Sequence, residues 1–177
     1  MKQIEEDRDK TETKENKELS SDEVELGSSN DEKSENFDTN DHLFGHYEKV
    51  DFKRLLEKSL RRNFTYSSLV IFLNLIKKGT ILDIGTGPGT FLFHAHRLGF
   101  DTYAIDVSKS YLSALNQNCP FVKFHITSGE QFNIPKEWPN AFNVISALDI
   151  LEHADKPLVV GQNIYRHLAD GGYFIGS

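Results

Sequence analysis

Three glycines spaced two apart, in Ile81-Leu82-Asp83-Ile84-Gly85-Thr86-Gly87-Pro88-Gly89-Thr90, follow directly on a short apolar run. Where side chains are absent, the backbone can turn sharply, present N–H groups and lie against a ligand. Asp106 stands 21 residues after Gly85, at the end of a second apolar run. From that position a carboxylate can accept hydrogen bonds from both hydroxyls of a ribose. A dinucleotide fingerprint would read G-x-G-x-x-G, but here the pattern is G-x-G-x-G and residue 90 is Thr. Pro88 also removes one of the N–H donors that a pyrophosphate wants at a helix N-terminus. The loop therefore suits a ligand other than a phosphate, and loop and acid together point to a nucleoside of that kind.

A second set of reactive residues lies in Ser146-Ala147-Leu148-Asp149-Ile150-Leu151-Glu152-His153. This segment leaves a later strand at the carboxyl edge, where ligands of open α/β sheets bind. His153 is of a residue type suited to take a proton from an acceptor hydroxyl or amine. On one helical turn Asp149, Glu152 and His153 would converge as i, i+3 and i+4 and could hold a divalent metal. The competing reading makes Glu152 and His153 a cap and hydrogen-bond pair that fixes the loop, and we assign no metal. His94 and His96 sit two apart on a helix and face different ways, while His125 reads as packed or solvated within a strand. Cys119, the only cysteine, excludes an internal disulfide and any multi-cysteine metal site.

These residues need a scaffold of alternating strands and helices. Tyr47 to Arg62 places Val50, Leu55, Leu56 and Leu60 near helical spacing, and Tyr66 to Lys77 does the same with Leu69, Val70, Leu73 and Ile76. Thr80 to Ile84 reads as a buried strand. Thr90 to Leu98 then forms a helix closed by Gly99, and Thr102 to Ile105 a second strand. Ser108 caps a helix that turns Tyr111, Leu112 and Leu115 inward. Phe121 to Ile126, Phe142 to Ala147 and Gly172 to Ile175 complete the strands, with a helix from Pro157 to Leu168 before the last. The order predicts an α/β domain with a parallel sheet and helices on both faces.

Three segments carry a family resemblance. Asp83-Ile84-Gly85-Thr86-Gly87-Pro88-Gly89 is similar to the first motif of the class I S-adenosylmethionine-dependent methyltransferases, and Ala104-Ile105-Asp106-Val107-Ser108 to their ribose-binding motif. Leu168-Ala169-Asp170-Gly171-Gly172-Tyr173-Phe174 resembles their turn into the fifth strand. The likeness covers residues 47 to 177, about three quarters of the chain. It implies a Rossmann-like, doubly wound sheet in the order 3-2-1-4-5 and S-adenosyl-L-methionine as cofactor. By that likeness Asp83, Gly85, Thr86, Gly87 and Gly89 would hold its methionine part, and Asp106 with Val107 the ribose. The adenine would meet Thr127-Ser128-Gly129-Glu130, where Ser128 or Glu130 replaces the family's usual acid, and Leu148 completes the cofactor set. The Leu151-Glu152-His153 triplet resembles ubiquinone-pathway and small-molecule methyltransferases, which implies a small-molecule acceptor methylated on O or N, with His153 beside it. In some relatives an acid-x-x-acid-His cluster holds a metal. Methyl transfer asks mainly for alignment, so no catalytic triad is expected.

Charge divides the chain in two. Residues 1–41 carry 6 Lys/Arg and 15 Asp/Glu, a net of −9, while residues 42–177 have a net of +2. The first segment has too few large apolar residues to offset the entropy of ordering and reads as an acidic disordered tail. The domain is assigned to residues 42–177; it has no basic stripe, so nucleic acid is not an expected partner. Its longest apolar cluster, Leu69 to Ile76, is broken by Asn74 and far shorter than the about 20 residues that span a bilayer. A cytoplasmic protein without membrane contact is expected. Family domains continue past the fifth strand with a helix and an antiparallel hairpin, whereas this chain stops at Ser177. The expectation is a partial domain whose last strand is an open edge for a dimer or partner. Two rivals stand beside the methyltransferase: a truncated, non-catalytic cofactor-binding or interaction protein, and an NAD-dependent oxidoreductase, against which Thr90 and Pro88 argue.

Overall fold

Alternation along the strands decides which residues enter which side of the sheet. In the computed structural model, which describes residues 51–62 and 64–177 (side chains of 60–65 excepted), the first strand is β1, Thr80–Ile84. It follows two helices, α1 (Phe52–Arg62) and α2 (Phe64–Leu75). The acidic segment 1–41 and the start of the first expected helix, with Val50, lie outside the described residues. Next come α3 (Thr90–Arg97), β2 (Asp101–Asp106), α4 (Lys109–Asn118) and β3 (Lys123–Ile126). They are followed by β4 (Phe142–Ala147), a 3-10 turn (Leu151–His153), α5 (Pro157–His167) and β5 (Leu168–Gly176).

The five strands are parallel and lie in the order β3-β2-β1-β4-β5. Ile81, Ala104 and Val144 face a core built with Leu73 of α2, Phe91 and Leu92 of α3 and Leu115 of α4. Leu82, Ile84, Ile105 and Ile145 face the other layer, with Phe132, Trp138, Val160 and Ile164. Neighbouring residues of one strand thus feed opposite layers, as a period of two requires. This is the Rossmann-like, doubly wound arrangement, with helices on both faces. Burying one Leu or Ile side chain contributes about 1.5–3 kcal/mol, so the two layers fix the strands and, through them, the loops at their carboxyl ends.

β1 and β4 have the predicted bounds, and β1 lies between Gly79 and Gly85. β3 is shorter than predicted: Val122 N donates to Cys119 O at 2.9 Å, so Phe121 and Val122 belong to the turn leaving α4. β5 is longer, since Leu168 pairs with Phe142 and a bulge then separates that pair from Val144 and Tyr173. Gly171, at φ 71, supplies the left-handed residue inside the bulge. Asp149, Glu152 and His153 do not share a helical turn. Asp149 stands before the 3-10 turn with φ 55, which redirects the chain and removes the i, i+3, i+4 geometry that a metal would need. Among the described residues no group of His, Cys, Asp or Glu is placed to hold a metal ion. Nor is any described helix long and apolar enough to cross a membrane.

Candidate functional site

At the carboxyl end of β1 the chain makes a bend of three left-handed glycines, Gly85 (φ 71), Gly87 (φ 52) and Gly89 (φ 83). Each has its own reason. A Cβ at Gly85 would collide with Ile150 Cδ1, and one at Gly89 with Leu115 Cδ1, so both approach neighbouring elements too closely for a side chain. Gly87 has nothing within 4 Å of that position and borders open space. The bend leads straight into α3, where Phe93 N donates to Gly89 O at 2.9 Å.

Asp106, at the end of β2, is joined to the bend by hydrogen bonds. Its Oδ2 accepts from Gly87 N at 3.1 Å and its Oδ1 from Ser108 N at 2.9 Å. Burial pushes its pKa up, and the backbone N–H groups of Ser108, Gly87 and Val107 oppose that rise. A carboxylate offers about four acceptor sites, so acceptor capacity remains beyond these backbone bonds. Ser108 stands at the N-cap of α4, with its Oγ 2.7 Å from Ser110 Oγ.

Asp83 lies one layer deeper, 3% exposed. It is paired in register with Ser146 of β4, whose Oγ donates to Asp83 Oδ1 at 2.7 Å. Burial is the main cause that raises its carboxyl from 3.8 to about 7; Ser146 and Thr86 lower it, and the charge of Asp106 raises it further. Thr86 Oγ1 eases this ionisation, yet it is buried and meets no partner at hydrogen-bond geometry. Above this acid, Tyr66 of α2 shares a 2.9 Å hydrogen bond with Thr90 Oγ1 and packs edge-on against Phe91, with ring centroids 5.8 Å apart. Burial raises the Tyr66 phenol well beyond its ordinary range, and Asp83 and Asp149 add to the rise.

The bend, the end of β2, the turn after β3 and the loop after β4 enclose a cleft of about 490 Å³, within the range of small-molecule and cofactor sites. Gly85, Gly87, Asp106 and Val107 form one side of it. Ser128, Gly129 and Glu130 border another, and Leu148 and His153 a third. Asp83, Thr86 and Gly89 are buried behind the bend and do not line it. Ser128 Oγ accepts from Gln131 N at 3.1 Å, and Glu130 Oε1 from Lys156 N at 3.4 Å. Glu152 is exposed and outside the lining, so the sequence pairing of Glu152 with His153 separates here.

Sequence reasoning missed Tyr111, Ile150 and Asp155 as lining residues, and missed Tyr66 behind the bend, whereas Asp149, singled out there as a candidate metal ligand, does line the cleft. Tyr111, expected in the core, is buried and also lines the cleft. A tyrosine beside an inward-facing leucine carries no separate signal. The charge of the lining is one-sided: Asp106, Glu130, Asp149 and Asp155 are acids, and neither Lys nor Arg is present.

The observed residues fit S-adenosylmethionine. The lining holds the acids Asp106, Glu130, Asp149 and Asp155 and neither Lys nor Arg, which suits a cationic ligand, and the bend leaves bare backbone at Gly87 beside it. A family model described as a methyltransferase domain matches residues 44–177. No curated protein matches the chain. Similar solved structures include a protein from Pyrococcus horikoshii OT3, with TM-score 0.57 and 19% identity over 73% of this chain and 59% of that one. An S-adenosylmethionine-bound amino pentose methyltransferase of calicheamicin biosynthesis from Micromonospora echinaspora gives TM-score 0.57 and 14% identity over 72% and 56%. An S-adenosylmethionine-dependent methyltransferase from Clostridium acetobutylicum ATCC 824 gives 0.53 and 19% over 77% and 55%. At these identities the likeness speaks for the fold, and the chain spans 55–59% of the length of these three structures. Motif, sheet order and family match converge: the chain belongs to the class I S-adenosylmethionine-dependent methyltransferase domains.

Proposed function

We propose that the chain binds S-adenosylmethionine in this cleft and methylates a small molecule. The observation that carries the reading is the Asp106 carboxylate, tied by Gly87 N–H to an open glycine bend at the mouth of a cofactor-sized cleft. Asp106 and Val107 would hold the ribose, and Ser128, Gly129 and Glu130 the adenine edge. Leu148 supplies an apolar wall. Asp83 and Thr86, behind Gly85, Gly87 and Gly89, would serve the methionine end. When bound, the cofactor supplies an activated methyl group on a positively charged sulfur, so alignment of the acceptor is the protein's main contribution. His153, which lines the cleft and is exposed, would take a proton from the acceptor.

The sign of the lining favours an amine over a carboxylate or phosphate acceptor, because Asp149 and Asp155 face the cleft and no basic side chain lines it to receive an anion. One of the similar structures is an amino pentose methyltransferase, which accords with an amine. Calorimetric titration with S-adenosylmethionine, S-adenosylhomocysteine and NAD tests the reading. Saturable binding of the first two, with NAD unbound, is expected, and binding of NAD alone would sink it. Transfer of labelled methyl to a panel of amines, phenols and carboxylates should favour amines. Binding without transfer to any of them would favour the non-catalytic rival.

A further inference from the structure

One face of α5 is turned onto the stretch from residue 127 to residue 132 and holds it at three points. Val160, Asn163 and His167 lie on that face at helical spacing. A Cβ on Gly129 would lie 3.1 Å from Val160 Cγ1 and 3.2 Å from Ile84 Cγ2, so the Gly129 backbone sits directly against helix and sheet. Asn163 is buried, and its Nδ2 donates to Gly129 O at 3.0 Å and to Glu130 O at 2.8 Å. Both partners are carbonyls, which can only accept, so the orientation of the amide is fixed. The His167 ring packs on Phe132 with centroids 4.4 Å apart, and its Nδ1 donates to Asn163 O at 2.8 Å.

We infer that Asn163 is a positioning residue that sets the base selectivity of the cleft by holding the Gly129 and Glu130 carbonyls. This rests on the assignment of Ser128, Gly129 and Glu130 to the adenine. Asn163 itself is absent from the lining of the cleft and acts through the turn. With its amide in place, two consecutive carbonyls are drawn toward α5, and the backbone between them can present the Ser128 and Glu130 side chains to the ligand in one arrangement. Without it, two carbonyls at a packed interface lose their donor, and the turn must rearrange to find another. The polar groups offered by Ser128 and Glu130 are chiefly acceptors, complementary to the amino group of adenine. Hypoxanthine carries a carbonyl oxygen at the same place, and a site built to hydrogen-bond one group rejects an analogue that lacks it.

The test compares S-adenosylhomocysteine with S-inosylhomocysteine, by calorimetry on the 177-residue chain and on Asn163→Leu, with thermal midpoints recorded alongside. The unaltered chain should prefer the adenine compound by at least about tenfold, and Asn163→Leu should bring the two within about twofold. Asn163→Ser, smaller and keeping one donor, should give an intermediate ratio and serves if the leucine variant does not fold. A lowered midpoint with an unchanged ratio would mean that Asn163 only stabilises the fold, and would overturn the inference while leaving the cofactor reading standing. Failure of the unaltered chain to bind S-adenosylhomocysteine would overturn that reading and the inference together.

Discussion

Replacing Asp83 by Asn should reverse part of the pH dependence of stability. In the folded chain this carboxyl is held at about 7 against an ordinary 3.8, chiefly by burial. Between those values the native state binds a proton that the unfolded state has released. The contribution of Asp83 is therefore complete below about 3.8 and is lost as pH rises through about 7. At one pKa unit to about 1.4 kcal/mol, the loss by pH 8 is at most about 4 kcal/mol, which corresponds to roughly 10 °C in thermal midpoint for a domain of this size. Asn does not titrate, and its Oδ1 can still accept the Ser146 hydroxyl that lies 2.7 Å from Asp83. Asp106, also raised by burial, repels the Asp83 charge, so Asp83→Asn relieves that repulsion and adds to the difference in the same direction. Thermal unfolding from pH 5 to pH 8 should show the variant gaining on the unaltered chain as pH rises. Adding S-adenosylhomocysteine should then stabilise the unaltered chain more than the variant at pH 8, because the ligand's ammonium favours the carboxylate. Parallel pH profiles for the two proteins would refute the burial argument, and equal stabilisation by the ligand would remove Asp83 from the methionine end.

Other perturbations separate structure from ligand contact. Asp106→Ala should weaken S-adenosylhomocysteine at least about tenfold, some 1.4 kcal/mol or more, and an unchanged affinity in calorimetry would remove the ribose assignment. Gly85→Ala combines a φ of 71 with a collision against Ile150 and should cost about 2 kcal/mol or more in denaturant unfolding. Gly161→Ala, in the exposed interior of α5 with nothing within 4 Å of its Cβ position, should instead stabilise by about 0.5–1 kcal/mol. Equal effects at the two sites would contradict the close approach of Ile150. His153→Gln should slow methyl transfer by about a hundredfold or more while leaving cofactor affinity nearly unchanged, and a full rate would relieve His153 of its proton.

The glycine bend and β1 could be read from residue order because everything that shapes them is local. Apolar β-branched residues end at Gly85, and the left-handed positions coincide with glycines. The same holds for Asp106, whose place at the end of β2 follows from the run before it. Contacts between segments far apart in the chain were illegible. Tyr66 meets Thr90 24 residues later, and Asn163 reaches back more than 30 residues to the turn after β3. In the sequence Asn163 is one polar residue in an amphipathic helix, and only packing decides that it is buried. Asp149 misled for a different reason: a non-glycine residue at φ 55 leaves no mark in composition, so the helical spacing with Glu152 and His153 looked continuous. The β5 bulge went unforeseen because Gly171 and Gly172 read equally well as a turn before the strand.

A crystal structure of the chain with S-adenosylhomocysteine tests the central claim most directly. The expected density runs along Gly85 to Gly89, with both ribose hydroxyls within hydrogen-bond reach of the Asp106 carboxylate and the base against Ser128 to Glu130. Ligand bound elsewhere, or a cleft closed by side chains with Asp106 turned away from the sugar, would contradict the account.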